Sequence, residues 1–194
     1  MWTDWLPRPE EGAVRVEIAI RAYCSDDAAA LAEVMFRSVR EAATADYTAE
    51  QVTAWLPARP TPEAADRRAR DGRRVLVATG PDGRILGYID LEPDGHIDHL
   101  FCVPEAVGHG IGARLYDAVE RAAADEGIDR LHVAASESAR RLFEKKGFVV
   151  RERREKELRG VPIHNYAMSK VLAPLPNPWA GLTAPLRSVP TRWE

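Results

Sequence analysis

The chain is short of cysteine, has no long apolar run and carries no excess of basic charge, and each shortage removes a class of protein. Two cysteines in 194 residues, Cys24 and Cys102, cannot build a disulfide framework or a four-cysteine zinc site. No apolar stretch approaches the roughly 18 residues of a membrane span. Lys and Arg number 27 against 30 Asp and Glu, a formal charge of -3, so the electrostatic footprint of a nucleic-acid binder is missing. The start, Met1-Trp2-Thr3-Asp4-Trp5-Leu6-Pro7, has no basic region followed by an apolar one, so no secretory leader is read there. What is present is globular material: 45% apolar and 29% charged residues, enough for a sizeable core. The length suits one domain with extensions, without metal, and a cytoplasmic setting is expected.

Four of the five tryptophans, Trp2, Trp5, Trp179 and Trp193, lie near the termini. From Ala173 onward, Pro174, Pro176, Pro178, Pro185 and Pro190 rule out a regular helix. The expected organisation is an N-terminal extension over 1–15, a domain over 16–172 and a Pro-rich tail over 173–194. Disordered segments are poor in aromatics, so the tail is read as a strap over an apolar patch. The tryptophan-bearing ends are expected to serve a homodimer contact.

Between the ends the pattern is continuous. Val16 to Ala22 alternates like a half-buried strand, and Ser25 caps a helix whose face is Ala28, Leu31, Met35 and Val39. Thr48-Ala49-Glu50-Gln51 is a capping box for a short helix through Trp55, and Thr61-Pro62 opens another. Arg74–Thr79, Arg84–Leu91 and His96–Val103 are separated by two Pro-Asp-Gly turns, which predicts an antiparallel meander. A helix over Gly110–Glu126, a strand over Arg130–Ala134, a helix over Ser138–Lys146 and a hairpin around Arg159-Gly160 complete the order. This is a single α/β domain with a mixed, mostly antiparallel sheet flanked by helices.

The segment with most chemistry in it runs from His96 to Ala113. A strand leads into Gly108-His109-Gly110-Ile111-Gly112-Ala113, which opens a helix. Glycines admit close approach of a ligand to the backbone, and the first amides of a helix lack intrahelical partners, so the turn suits a phosphate group. A triphosphate loop would need Gly-Lys-Ser/Thr where Gly112-Ala113 stands. A dinucleotide fingerprint is formally satisfied, but Pro104 to Val107 separate strand from glycine, and only one further helix-strand unit follows.

The turn resembles the coenzyme A pyrophosphate loop of the GNAT N-acetyltransferase superfamily, Gln/Arg-x-x-Gly-x-Gly/Ala. Gly110 and Gly112 match the two small positions, and Val107 departs from the Gln/Arg position. The stretch Leu142-Phe143-Glu144-Lys145-Lys146-Gly147-Phe148 resembles the second signature, Phe-Tyr-Glu-Lys-x-Gly-Phe. Gly160-Val161-Pro162-Ile163-His164-Asn165 is similar to Gly-Val-x-x-x-Asn of a bacterial subgroup with a Phe-Phe-Glu type second signature. The resemblance covers about residues 16 to 171 and implies a GNAT-like fold, acetyl-coenzyme A as donor and an amine of a small molecule or protein as acceptor.

Residue by residue, the resemblance places the cofactor on Leu100, Phe101, Cys102, Val103, Gly108, His109, Gly110, Ile111, Gly112, Ala113 and Ser136. Tyr47, Trp55, Asn165 and Tyr166 are expected around the acceptor. His96 stands where relatives with a strand base carry it, and strict alternation puts Asp98 beside it on one face. An imidazole titrates near neutrality and suits proton removal from an amine. Asp90 and Glu92 are reserves for that role. Phe143 replaces the tyrosine that many relatives use as general acid, leaving Tyr166, Ser136 or water. Two other readings are a non-catalytic acyl-coenzyme A-binding module and an aminoacyl-tRNA-acetylating toxin of the same fold; the missing basic excess opposes the second.

Overall fold

A computed structural model describes residues 18–172. The strand start at Val16, the strap and the dimer contact of the tryptophan-bearing ends lie outside the described residues. In chain order the elements are β1 (Ala19–Ala22), α1 (Ala28–Arg37), α2 (Ala49–Trp55), α3 (Pro62–Ala69), β2 (Arg74–Thr79), β3 (Ile85–Leu91), β4 (His96–Ile97) and β5 (Leu100–Cys102). Then come α4 (Ile111–Asp125), β6 (Arg130–Ala135), α5 (Glu137–Lys145), β7 (Val149–Leu158) and β8 (Val161–Val171). The strands form two sheets, ordered β1-β2-β3-β5 and β4-β6-β8-β7. All neighbours run antiparallel except β4 and β6, which are parallel. The mixed α/β single domain expected from the sequence is the observed one. Among the described residues no helix is long and apolar enough to cross a membrane.

Local chemistry sets most element boundaries. Thr48 and Gln51 close the capping box of α2 reciprocally, at 3.0 and 3.2 Å. Thr61 caps α3, with Pro62 at the first helical position. The first helix starts differently from expectation. A tight turn over Ser25–Asp27 precedes it, and the buried Asp27 carboxylate takes the Cys24 amide at 2.9 Å and both arms of Arg21 at 2.6 and 2.8 Å. Past Arg37 the helix widens into a π turn over Ser38–Ala42 before reaching Tyr47. Leu115, Tyr116, Val119 and Ala123 of α4 are fully buried and share one core with Val77, Ile89 and Leu131. A smaller core of Val39, Ala43, Tyr47, Val52, Leu56 and Ile163 seats α2 on β8.

The third strand of the meander is not continuous. It breaks at Asp98-His99 into β4 and β5. Before the break it runs beside β6, with His96 opposite His132 and Ile97 opposite Val133. After the break β5 stays on β3, with Phe101 opposite Tyr88, and is the outer strand of its sheet. The two sheets therefore part company here, and a cleft opens between them.

Gly95 ends the turn before the break with a left-handed φ of +88°, and a Cβ there would stand 2.1 Å from the Arg130 carbonyl oxygen. Gly83, with φ of +79° and open space around it, is the matched control. Gly95→Ala should cost at least about 2 kcal/mol, against about 1 kcal/mol for Gly83→Ala. Denaturant melts of the two variants measure the difference.

Candidate active site

The cleft holds about 420 Å³ and is built around the glycine turn. After β5 a 3-10 turn over Pro104–Ala106 leads to Val107, and Gly108 and Gly110 adopt φ of +83° and +78°. No atom would come within 4 Å of a Cβ on either, so the surface above them is open to a ligand. Gly110 is the N-cap of α4, and no side chain caps this helix. Its first-turn amides are left for a guest, and the helix dipole favours an anionic one. Arg37 grips Glu105 with both arms, at 3.0 and 2.9 Å, and so ties the loop to the end of α1.

Of the residues expected at the cofactor, Leu100, Phe101, Cys102, Gly108, Gly110, Ile111, Gly112, Ala113 and Ser136 line this cleft. Val103 is buried in the core behind it, and His109 is exposed with its ring nitrogen 3.1 Å from the Val107 carbonyl. Neither lines the cleft. Ser136 also caps α5, accepting the Ala139 amide at 3.3 Å. The main chain of β5 adds polar groups. Val103 donates to Leu86 and Asp90 donates to the His99 carbonyl, so residues 99, 101 and 103 aim their main chain at β3. By the alternation of an antiparallel ladder, Leu100 and Cys102 aim theirs away from it, on the side where β5 has no partner strand.

A second cavity, of about 170 Å³, meets the cleft at Trp55, Phe101 and Ser136. Tyr47, Trp55 and Asn165 line it, together with Asp98, His99, Lys156 and Met35. Tyr47 is committed to structure: its hydroxyl takes the Glu137 amide at 3.0 Å and lies 3.4 Å from the His164 carbonyl. Asn165 Oδ1 is buried without a hydrogen-bond partner among the described residues. Tyr166 stands apart from the cavity, donating to Glu137 at 2.7 Å beneath the Arg140 guanidinium. Phe143, 1% exposed, packs edge-on against Tyr116 and Phe148 in the core and offers no proton to the cleft.

Asp90 organises the break. Its carboxylate, 1% exposed, accepts the Asp98 amide at 3.0 Å and the His99 amide at 2.8 Å. It also receives Arg68 at 2.8 Å and Arg73 at 3.0 Å. With its oxygens so occupied, Asp90 is a structural acid. The break also separates two residues expected on one face. Asp98, 46% exposed and paired with Arg68, lines the second cavity. His96 faces another cavity, its ring stacked on His132 at 4.9 Å, near Arg151 and Arg154.

His99 faces the same cavity as Asp98, although strict alternation sets the two on opposite faces. Its Nδ1 is 3.0 Å from the Tyr88 hydroxyl and Arg68 Nε points at its Nε2 from 3.4 Å. Arginine only donates, so Nε2 accepts and Nδ1 carries the hydrogen. Burial first, then Arg68, push this imidazole down to about 4, so it is neutral at physiological pH. Sequence reading passed over His99, although the adjacent polar pair Asp98-His99 between Ile97 and Leu100 is itself the mark of a broken alternation. Burial also pushes the Cys102 thiol up to about 12.

An α/β domain with parted sheets, an edge strand free on the side facing the cleft and an uncapped glycine helix start has the architecture of an acyltransferase domain. The chain belongs to the GNAT acetyltransferase family: residues 43–170 match the family described as Acetyltransferase (GNAT) domain. A GCN5-related N-acetyltransferase structure from Rhodopseudomonas palustris is 34% identical, with a TM-score of 0.73, covering 83% of this chain and 100% of its own. The PaiA N-acetyltransferase of Thermoplasma acidophilum, in complex with coenzyme A, shares the fold at 21% identity and a TM-score of 0.63, over 80% of this chain and 99% of its own. So does a Salmonella typhimurium protein described as an acetyltransferase with its cofactor acetyl-CoA, at 20% identity and 0.65, over 84% and 99%. No curated protein shows significant similarity to the chain.

The lowered pKa of His99 has a consequence for stability. The unfolded imidazole, near 6.5, takes up a proton that the folded one refuses until about 4. The stabilisation is complete above pH 6.5 and is lost as pH falls toward 4. Between pH 7 and pH 5 this one group should remove about 2 kcal/mol. Urea melts across that range should show the slope, and His99→Gln should remove it.

Proposed function

We propose that the protein transfers the acetyl group of acetyl-coenzyme A to a primary amine, of a small molecule or a protein, by direct attack on the thioester. The observation that carries this reading is the meeting of two cavities at β5. The glycine-floored cleft suits a pyrophosphate, the smaller cavity suits an amine, and both open on the same edge strand. The coenzyme A and acetyl-CoA held by the Thermoplasma and Salmonella relatives support the choice of donor.

In this reading the amides of Gly110 to Ala113 receive the pyrophosphate, and the main chain of Leu100 and Cys102 hydrogen-bonds the pantetheine and thioester. A protonated amine, with an ordinary pKa near 10, is drawn to the Asp98 carboxylate and gives up its proton there or to water. The free amine attacks the carbonyl carbon, and a β5 amide holds the oxyanion. As the tetrahedral species collapses, its nitrogen gives up a second proton to water, the carbon–sulfur bond breaks and coenzyme A departs as thiolate. A thiol with a pKa near 8.5 is a competent leaving group, so the absence of a tyrosine at Phe143 is tolerated. Cys102, held as a neutral thiol, is a poor nucleophile, which favours direct transfer over a cysteine-bound intermediate. We assign the proton-accepting role to Asp98 in place of His96, because Asp98 lines the amine's cavity.

A non-catalytic acyl-coenzyme A-binding module is the second reading. Val107, 56% exposed where relatives carry Gln or Arg, and the buried Phe143 both favour it. Two variants test the pair. Gly110→Val, at a left-handed position facing the cleft, should weaken acetyl-coenzyme A binding at least about 100-fold by calorimetric titration, with the fold retained at a cost of about 1–2 kcal/mol. Asp98→Ala should lower kcat/KM for amines about 10²-fold with the donor affinity unchanged, while His96→Ala stays within about threefold of wild type. Donor binding with no thiol release across an amine panel would leave the binding-module reading in place.

A further inference from the structure

A third cavity, of about 250 Å³, lies between α1, α3 and the face of the β1–β5 sheet. Its walls are apolar, from Leu31 and Met35 on α1, Ala65 and Ala69 on α3, and Val75 and Tyr88 on the sheet. Met35 and His99 line both this cavity and the one assigned to the amine, so the two adjoin across these side chains. The charged groups at its inner end are already matched. Asp90 is held by Arg68 and Arg73, and Arg68 reaches Asp98 as well. The imidazole at the threshold is neutral. A guest therefore meets apolar walls and no unpaired charge, with a carboxylate standing at the entrance.

We infer that this cavity is the specificity pocket for the acceptor, and that it takes the apolar substituent of a primary amine whose nitrogen lies beside Asp98. The inference rests on the amine-acetylation reading and narrows it to amines with an apolar or aromatic arm. The reacting nitrogen stays near Phe101, where the cavities meet the cleft, while the arm passes between Met35 and His99. Alanines at 64, 65 and 69 keep the space open, since any larger side chain on that face of α3 would enter it. An apolar contact of this kind discriminates by about tenfold or more between substrates that fill it and substrates that do not.

The test compares ethylamine with phenethylamine, using the full chain, acetyl-coenzyme A and thiol release. Wild type should prefer phenethylamine in kcat/KM by about tenfold or more. Ala65→Leu should bring the ratio to within about threefold by lowering kcat/KM for phenethylamine, with the KM for acetyl-coenzyme A unchanged. Ala64→Leu, at the neighbouring pocket position, serves if the first variant melts early. Equal rates for both amines in wild type, or a preference that survives both substitutions, would overturn the pocket. If neither amine releases thiol, phenethylamine is titrated calorimetrically into the coenzyme A-saturated protein. Binding that the variants weaken about tenfold would uphold the pocket while the acetyl-transfer reading falls, and no binding to wild type would overturn the pocket itself.

Discussion

The site depends on one buried carboxylate. Asp90 gathers two consecutive amides, from Asp98 and His99, and two guanidinium groups, from Arg68 and Arg73. Consecutive amides in a regular strand point in opposite directions, so a single acceptor taking both forces the strand to break. The buried charge is tolerable only because four donors compensate it. From this follow the parting of the sheets, the unpaired inner side of β5, and the turning of Asp98 and His99 toward one cavity.

Support for the two halves of the cleft is divided between the helices. The start of α4 supplies bare amides, and the π turn after α1 shapes the opposite wall with Val39 and Ala42. The Arg37–Glu105 pair joins the two. Beside the smaller cavity, α2 is fastened to β8 by Val52, Tyr47 and Ile163, and Gln51 reaches the Pro162 carbonyl at 2.8 Å. The walls of both cavities are thus fixed by contacts distant in sequence.

Element order, both capping signals and the glycine turn were legible because each rests on local chemistry. Thr48 with Gln51, Thr61 with Pro62, and the paired Pro-Asp-Gly turns all act within a few residues. The lining of the glycine-floored cleft was legible for the same reason, apart from Val103 and His109. What strict alternation could not give was the facing of His96 and His99. That is decided by Asp90, which belongs to another strand and shows no local sign of accepting two amides. Tyr47 and Tyr166 look like site residues from their chemistry, yet their hydroxyls are spent on α5 and β8, which only the folded contacts reveal. Phe143 poses the converse case: the signature position is present, but its side chain belongs to the aromatic core.

The free side of β5 also bears on edge-to-edge pairing between molecules. An uncovered strand edge is ordinarily where sheets of different molecules zip together. Here the edge is three residues long and recessed between two sheets, with α5 and the π turn as walls. A flexible thread of ligand can reach its main chain, whereas a second protein strand, flanked by its own neighbours, is too broad to enter. The recess that leaves backbone groups open to a slender ligand also narrows the approach for a neighbouring sheet.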